Sequence, residues 1–192
     1  VREMRVFGDD ASKIEFSAYR SGVPELAAIV EEANLQQALQ AVLSTQANLT
    51  LLAGVECVIA RWDDAQATLA LSDGEQIEAR LVVAADGAES ALRSAAGIVT
   101  RVREYGQTGV VANFRAGQPN RDTAYQWFLS AGVLALLPLP GNHVSMVWST
   151  PDAHAQDLLA AGAEELARRV EQASAGVLGR LEPISTAAGF PL

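Results

Sequence analysis

The motif with the clearest chemical meaning is DGAESALR at residues 86–93, between a predicted strand and a predicted helix. Such a junction gathers free backbone N–H groups and the positive end of a helix dipole, which suits an anion. Gly87 lets a ligand approach the backbone, Ser90 can cap the helix, and Arg93 can pair with Asp86 or with a phosphate. The same residues also suit an ordinary strand-to-helix turn with a structural ion pair, so both interpretations stay open here.

A second candidate region consists of aromatic-rich strands around an apolar run, at residues 125–128 (YQWF), 132–140 (GVLALLPLP) and 145–149 (SMVWS). Successive side chains of a strand face opposite sides of the sheet, so about half of these residues belong to a core. We predict that the other half lines an apolar ligand cavity containing a few polar groups.

The charge and the rare residue types exclude several classes of function. The net charge is −9, from 23 acidic and 14 basic side chains, and such a chain repels a phosphate backbone, so we expect no nucleic-acid partner. One cysteine, Cys57, and two histidines, His143 and His154, argue against a disulfide framework or a metal site. No G-x-S-x-G elbow is present, and we assign neither a metal ligand nor a catalytic side chain.

The 192 residues, 49% of them hydrophobic, suit one globular domain or two small ones. No apolar run is long enough to cross a bilayer. Residues 1–10 are mixed and charged, unlike a signal peptide. We therefore expect a cytoplasmic protein.

The elements that must position these residues predict an α+β fold with a mixed, mostly antiparallel sheet. Helices at about 24–46 and 155–171 should back this sheet, because their apolar residues recur at helical spacing. A Gly8-Asp9-Asp10 turn should join two strands at the start of the chain. A three-stranded meander over 49–85 should form a second layer.

The end of that meander leads directly into the first motif. The apolar run at 81–85 predicts a strand buried on both faces. A short helix from Glu89 to Ala96 should follow and stop at Gly97. Four further strands are predicted at 110–114, 125–129, 133–137 and 144–148.

Three segments together resemble a known family over essentially the whole chain. LVVAADGAESALRSAAGI resembles the D-G-x-x-S-x-x-R fingerprint of the flavin-dependent aromatic hydroxylases, the p-hydroxybenzoate hydroxylase-like superfamily. YQWFLSAGVLALLPLPGNHVSMVWS and LGRLEPISTAAGFPL resemble the ubiquinone-biosynthesis branch, the 2-polyprenylphenol hydroxylases. Val133 stands where that branch has a proline, a departure that concerns the shape of the substrate pocket.

The resemblance implies that the chain is the middle part of such an enzyme. Members begin with a G-x-G-x-x-G turn that binds the ADP part of FAD, and they carry a later Gly-Asp…Gly-Gln-Gly stretch; neither is found here. We assign 1–23 to strands of the substrate sheet, 24–97 to a remnant of the FAD-binding domain and 98–192 to the substrate-binding domain. We expect no complete FAD in this chain, no activity of the chain alone, and a homodimer formed through the face left uncovered.

The implied activity is FAD-dependent hydroxylation of the aromatic ring of a polyprenylated phenol, with NAD(P)H and O₂. The implied cofactor-binding residues are Asp86, Gly87, Ser90 and Arg93. The implied substrate-binding residues, which would roof an apolar pocket for an aromatic small molecule, are Phe128, Leu134, Leu136 and Trp148.

The full enzyme would be peripheral to the inner membrane or part of a biosynthetic complex. The alternatives are a non-catalytic ligand-binding or interaction domain of the same fold, and a flavin hydroxylase or epoxidase for another aromatic.

Overall fold

The computed structural model describes residues 1–8, 12–63 and 65–192, with Ile59 described by its backbone only. The predicted turn at Asp9-Asp10 therefore lies outside the described residues. The strands are β1 Glu3–Phe7, β2 Lys13–Ser17, β3 Cys57–Trp62, β4 Ala67–Leu71, β5 Gln76–Ala79, β6 Gln107–Ala116, β7 Thr123–Leu129, β8 Gly132–Leu139, β9 His143–Pro151, β10 Leu181–Pro183 and β11 Ala188–Pro191. The helices are α1 Ala18–Ser21, α2 Glu32–Leu43, α3 Ala91–Ala95, α4 Asp152–Ala160 and α5 Ala163–Ala173.

The chain folds as two compact units, one formed by Val1–Ala38 with Glu104–Leu192 and the other by Leu39–Arg103. The predicted division at 23 and 97 concerns which parts serve the cofactor and the substrate in a complete enzyme, and it stays a prediction.

Among the described residues, the first unit is built on an eight-stranded sheet with the order β10-β6-β9-β8-β7-β1-β2, in which β11 also pairs with β6. The pair β1 and β7 is parallel, whereas the other recorded pairs of this sheet are antiparallel. The predicted α+β class with a mixed, mostly antiparallel sheet is confirmed.

One face of this sheet forms the core of the first unit. Every second residue of the central strands is buried, as the period of a strand requires. Helices α4 and α5 add Leu158, Leu166 and Val170 to the same cluster. The four predicted central strands are confirmed. Three extend beyond both predicted ends, and β7 begins before its predicted start but ends at Leu129 as predicted.

Both predicted long helices differ from the structure. Residues 24–31 are not helical, because the Leu26 N–H donates to the carbonyl of Val1 and the Ala27 carbonyl accepts from the Val1 amino group. The predicted helix at 155–171 is two helices, since Gly162 has a φ of +79° and interrupts the helix there.

The second unit contains the three-stranded sheet β3-β4-β5, so the topology of the predicted meander is confirmed. The predicted strand at 81–85 is wrong. Strand β5 ends at Ala79, and Leu81 and Val83 are 79% and 75% exposed. Burial on both faces requires elements packed on both sides, and the described part of the second unit does not cover this segment.

Candidate functional site

The DGAESALR motif forms a tight turn held by its own side chains. Gly87 has a φ of +86°, which a residue with a side chain rarely adopts. Ser90 is buried, at 4% exposure, and its hydroxyl oxygen accepts from the Arg93 N–H at 2.9 Å, which caps helix α3 as predicted. Gly97, with a φ of +66°, follows the helix.

Asp86 is bound within this turn. Its Oδ1 accepts from the Ser90 hydroxyl at 2.5 Å, and its Oδ2 accepts from the Leu92 N–H at 3.3 Å. The Ser90 hydroxyl, followed by the Leu92 N–H, holds the pKa of the Asp86 carboxyl below its usual range, although partial desolvation opposes this shift. Asp86 therefore stays ionised at neutral pH and fixes the geometry around Gly87.

Arg93, for which the sequence suggested Asp86 or a phosphate as the partner, hydrogen-bonds to the backbone of the turn. Its Nη2 donates to the Ala88 carbonyl at 2.7 Å, which closes the turn from the other side. A guanidinium carries five N–H donors, so this bond leaves others for a ligand. The structure thus brings all four predicted residues together, with Asp86 and Ser90 bound to each other and Arg93 bound to the backbone.

A cavity of about 740 Å³ lies beside this turn, within the second unit. Gly87, Ser90 and Arg93 line it together with apolar residues that include Trp62 and Leu81. A Cβ at Gly87 would meet nothing within 4 Å, so the backbone of the turn is open to a ligand.

Three of the four predicted substrate residues lie in the core of the first unit instead of on its surface. Leu134 and Leu136 are 0% exposed and Trp148 is 5% exposed, and all three belong to the cluster beneath α4 and α5. The assignment of these three to a pocket roof needs correction, because their surfaces are already used by core packing. Phe128, at 48% exposure, lies on the opposite side of the sheet.

The residues that alternate with the buried ones form a second, partly exposed face, which we call the open face. Its central members are Val111, Asn113, Gln126, Phe128, Val133, Ala135, Leu137, Ser145, Val147 and Ser149. Strand registers place Val111, Val147, Ala135 and Gln126 side by side across four strands. Alternation predicted that one face would line a cavity, but the sequence did not indicate which face the helices would cover.

Residues 20–188 match the FAD binding domain family. The chain belongs to this family. The match includes the turn at 86–93 and most of the large sheet.

Relatives of this chain carry names from ubiquinone biosynthesis. The ubiquinone hydroxylase UbiL of Rhodospirillum rubrum is 38% identical over 156 residues, which are 81% of this chain and 36% of the relative. The 3-demethoxyubiquinol 3-hydroxylase of Escherichia coli is 32% identical over 192 residues, which are 100% of this chain and 49% of the relative. The chain thus spans about half or less of these curated relatives, and the matches confirm the predicted family.

Solved structures share the fold of this chain at low sequence identity. Pseudomonas aeruginosa PqsL in complex with 2-aminobenzoylacetate is 20% identical, with a TM-score of 0.75 over 100% of this chain and 55% of that chain. Klebsiella pneumoniae HpxO complexed with FAD and uric acid is 18% identical, with a TM-score of 0.69 over 100% of this chain and 51% of that chain. These likenesses concern the fold alone.

The residues of the turn fit a part of FAD. The open backbone at Gly87 allows a planar or sugar group to approach closely. Arg93 offers a cation, and the mixed apolar and polar walls of the adjacent cavity suit a large organic cofactor. The G-x-G-x-x-G turn that holds a pyrophosphate is not in this sequence, so the fit covers one region of the cofactor.

Proposed function

We propose that this chain is part of an FAD-dependent monooxygenase that hydroxylates the aromatic ring of a polyprenylated phenol in ubiquinone biosynthesis, with NAD(P)H and O₂ as co-substrates. The observation that carries the proposal is the coincidence of the family match over 20–188 with relatives named ubiquinone hydroxylases and 3-demethoxyubiquinol 3-hydroxylase. When bound, FAD would supply the activation of O₂ and the transfer of one oxygen atom to the ring.

The chain's own residues would bind and orient the cofactor and the phenol. Asp86 and Ser90 hold the turn at Gly87, which would contact the cofactor and lie beside the path by which NAD(P)H approaches. Arg93 would stabilise this turn through its hydrogen bond to the Ala88 carbonyl. Val133, Ala135 and Val147 of the open face would pack on the phenol ring and exclude water from it. This assignment replaces Leu134, Leu136 and Trp148 with their neighbours on the exposed side.

The test is an assay of the FAD-loaded enzyme with a polyprenylphenol. We expect NAD(P)H oxidation that depends on the phenol, and one atom of ¹⁸O₂ incorporated into the ring for each NAD(P)H consumed. NAD(P)H oxidation without ring oxygenation of any phenol would contradict the proposal. The absence of both NAD(P)H oxidation and ring oxygenation with any phenol would also contradict it, and would favour a non-catalytic binding domain of the same fold. Faster turnover of small phenols than of polyprenylphenols would favour a hydroxylase for another aromatic.

The partner and localisation predictions enter the same proposal. We infer a cytoplasmic enzyme that associates with the inner membrane, because a polyprenyl tail partitions into lipid. Among the described residues, no helix is long and apolar enough to cross a membrane. Self-association of the chain as a homodimer is part of this proposal too, and sedimentation of the purified protein tests it.

A further inference from the structure

The open face continues beyond the central strands onto β1 and β2. The registers pair Val6 with Gln126 and Val6 with Ile14. One row of side chains, Val111, Val147, Ala135, Gln126, Val6 and Ile14, therefore crosses six strands in order. At the usual strand spacing of about 4.8 Å, this row is about 24 Å long.

Strand β2 has the reverse of the usual polarity. Its apolar residues Ile14 and Phe16 lie on the open face and are 59% and 50% exposed. Its charged residues Lys13 and Glu15 lie on the other face, where they pair with each other at 2.5 Å and where Glu15 also contacts Arg5. A strand that exposes its apolar side chains and pairs its charged ones on the side of the core indicates that something apolar covers the open face.

The composition of the open face changes along the row. At the β6 and β9 end, Asn113, Ser145 and Ser149 place polar side chains beside Val111 and Val147. At the β1 and β2 end the corresponding residues Met4, Val6, Ile14 and Phe16 are apolar, although polar Gln126 of β7 is the register partner of Val6. A ligand with a polar head and an apolar tail would match this gradient with its head at β6 and β9 and its tail at β1 and β2.

We propose that the isoprenoid tail of the substrate lies across the strands on the β1 and β2 part of the open face, with the hydroxylated ring toward β9 and β6. This proposal rests on the proposed function for the identity of the ligand. It names Ile14 and Phe16 as the residues that select for a long tail, and Asn113 and Ser145 as polar contacts of the head. Val6 and Met4 would form the floor between the two ends.

The test compares the affinities of two probes, 2-farnesylphenol and 2-methylphenol, for the FAD-loaded enzyme by calorimetry. We expect wild-type protein to bind the farnesyl probe more tightly, and the double change Ile14→Ser with Phe16→Ser to lower the ratio of the two affinities by about tenfold. Lys13→Ala, on the other face of the same strand, is the matched control and should leave the ratio unchanged. Asn113→Leu should weaken both probes by a similar factor, which keeps their ratio.

A ratio that the β2 double variant leaves at the wild-type value would overturn the proposal. So would a wild-type protein whose affinity does not depend on the tail. If a second copy covers the face instead, the double variant would change the sedimentation of the protein and leave the ratio unchanged, which also overturns the proposal.

The failure of the proposed function looks different. A wild-type protein that binds the probes with a tail-dependent difference, lost in the β2 variant, but that oxygenates neither probe would remove the function and leave the tail orientation intact. Oxygenation of both probes, with an affinity ratio that the β2 double variant does not change, would support the function and remove the tail orientation.

Discussion

Under the proposed function, the turn at 86–93 and the open face of the large sheet would recognise their ligands in opposite ways. In the turn, the polar side chains are bound to one another: Asp86 to Ser90, and Ser90 to the backbone of Arg93. What remains accessible there is backbone at Gly87, beside a cavity. On the open face, the backbone is used in the sheet and the side chains are what a ligand can contact. A side-chain change in the turn should therefore act through geometry, and one on the open face should act directly on binding.

The largest effect should come from truncating, in turn, a core residue and an open-face residue of the same strand, β8. Leu136→Ala removes a side chain that is 0% exposed and should cost about 2–5 kcal/mol of folding free energy, without weakening substrate binding in the protein that remains folded. Leu137→Ala, its neighbour on the open face, should lower substrate affinity at nearly unchanged stability. Denaturant titration and calorimetry on both variants check this pair. Equal loss of affinity in both variants would contradict the separation of the faces.

A smaller effect is expected when the turn loses its hydroxyl. Ser90→Ala removes the cap of α3 and one partner of Asp86, and a lost cap costs about 0.5–2 kcal/mol. Ser90→Thr keeps the hydroxyl and is the control. We expect a lower melting temperature and weaker FAD binding in Ser90→Ala, with both largely retained in Ser90→Thr. If Thr behaves like Ala, the hydroxyl is not what organises the turn.

Changing Asp86 tests whether the turn serves the cofactor or only the fold. Asp86→Ala removes the acceptor of the Ser90 hydroxyl and of the Leu92 N–H. We expect folded protein with FAD binding or flavin reduction by NAD(P)H weakened roughly ten- to a hundredfold. Stopped-flow reduction and a melting curve on the same variant decide the question. A lower melting temperature with normal FAD affinity and reduction would assign Asp86 a purely structural role.

These contrasts show how far sequence reasoning could go. The residue types of the turn determine its geometry locally. The cap that Ser90 forms on α3 and the open backbone at Gly87 were therefore predictable from eight residues. The partner of Arg93 was not, because the Ala88 carbonyl becomes an acceptor only once the turn closes.

The large sheet shows the opposite limit. Period-two alternation predicted its central strands and the existence of two faces. Alternation alone could not tell whether Leu134 or Ala135 would belong to the core, since α4 and α5 decide which face is covered. The apolar run at 81–85 predicted a buried strand, but Leu81 and Val83 are exposed. An apolar run shows that a segment can pack against other elements, whereas burial also requires such elements, and the described chain does not place them there.

The smallest effect should be a pH dependence of the turn. The Ser90 hydroxyl lowers the pKa of Asp86 in the folded state. The stabilisation it gives is therefore complete above the ordinary Asp pKa of about 3.9 and is lost as the pH falls through the lower folded-state value. The difference in melting temperature between wild type and Asp86→Asn should be constant near neutral pH and vanish in strong acid. A difference that does not change in acid would mean that the ionised carboxylate is not what stabilises the turn.

The central claim is that the open face, and not the helix-covered face, binds the substrate. Ala135 lies in the middle of the open face, paired with Gln126 and Val147, so Ala135→Phe should fill the place of the substrate ring without entering the core. The decisive measurement is the calorimetric dissociation constant of a polyprenylphenol for this variant, at a melting temperature equal to that of the wild type. We predict an affinity at least about tenfold weaker, which is about 1.4 kcal/mol. A dissociation constant equal to that of the wild type would contradict the claim.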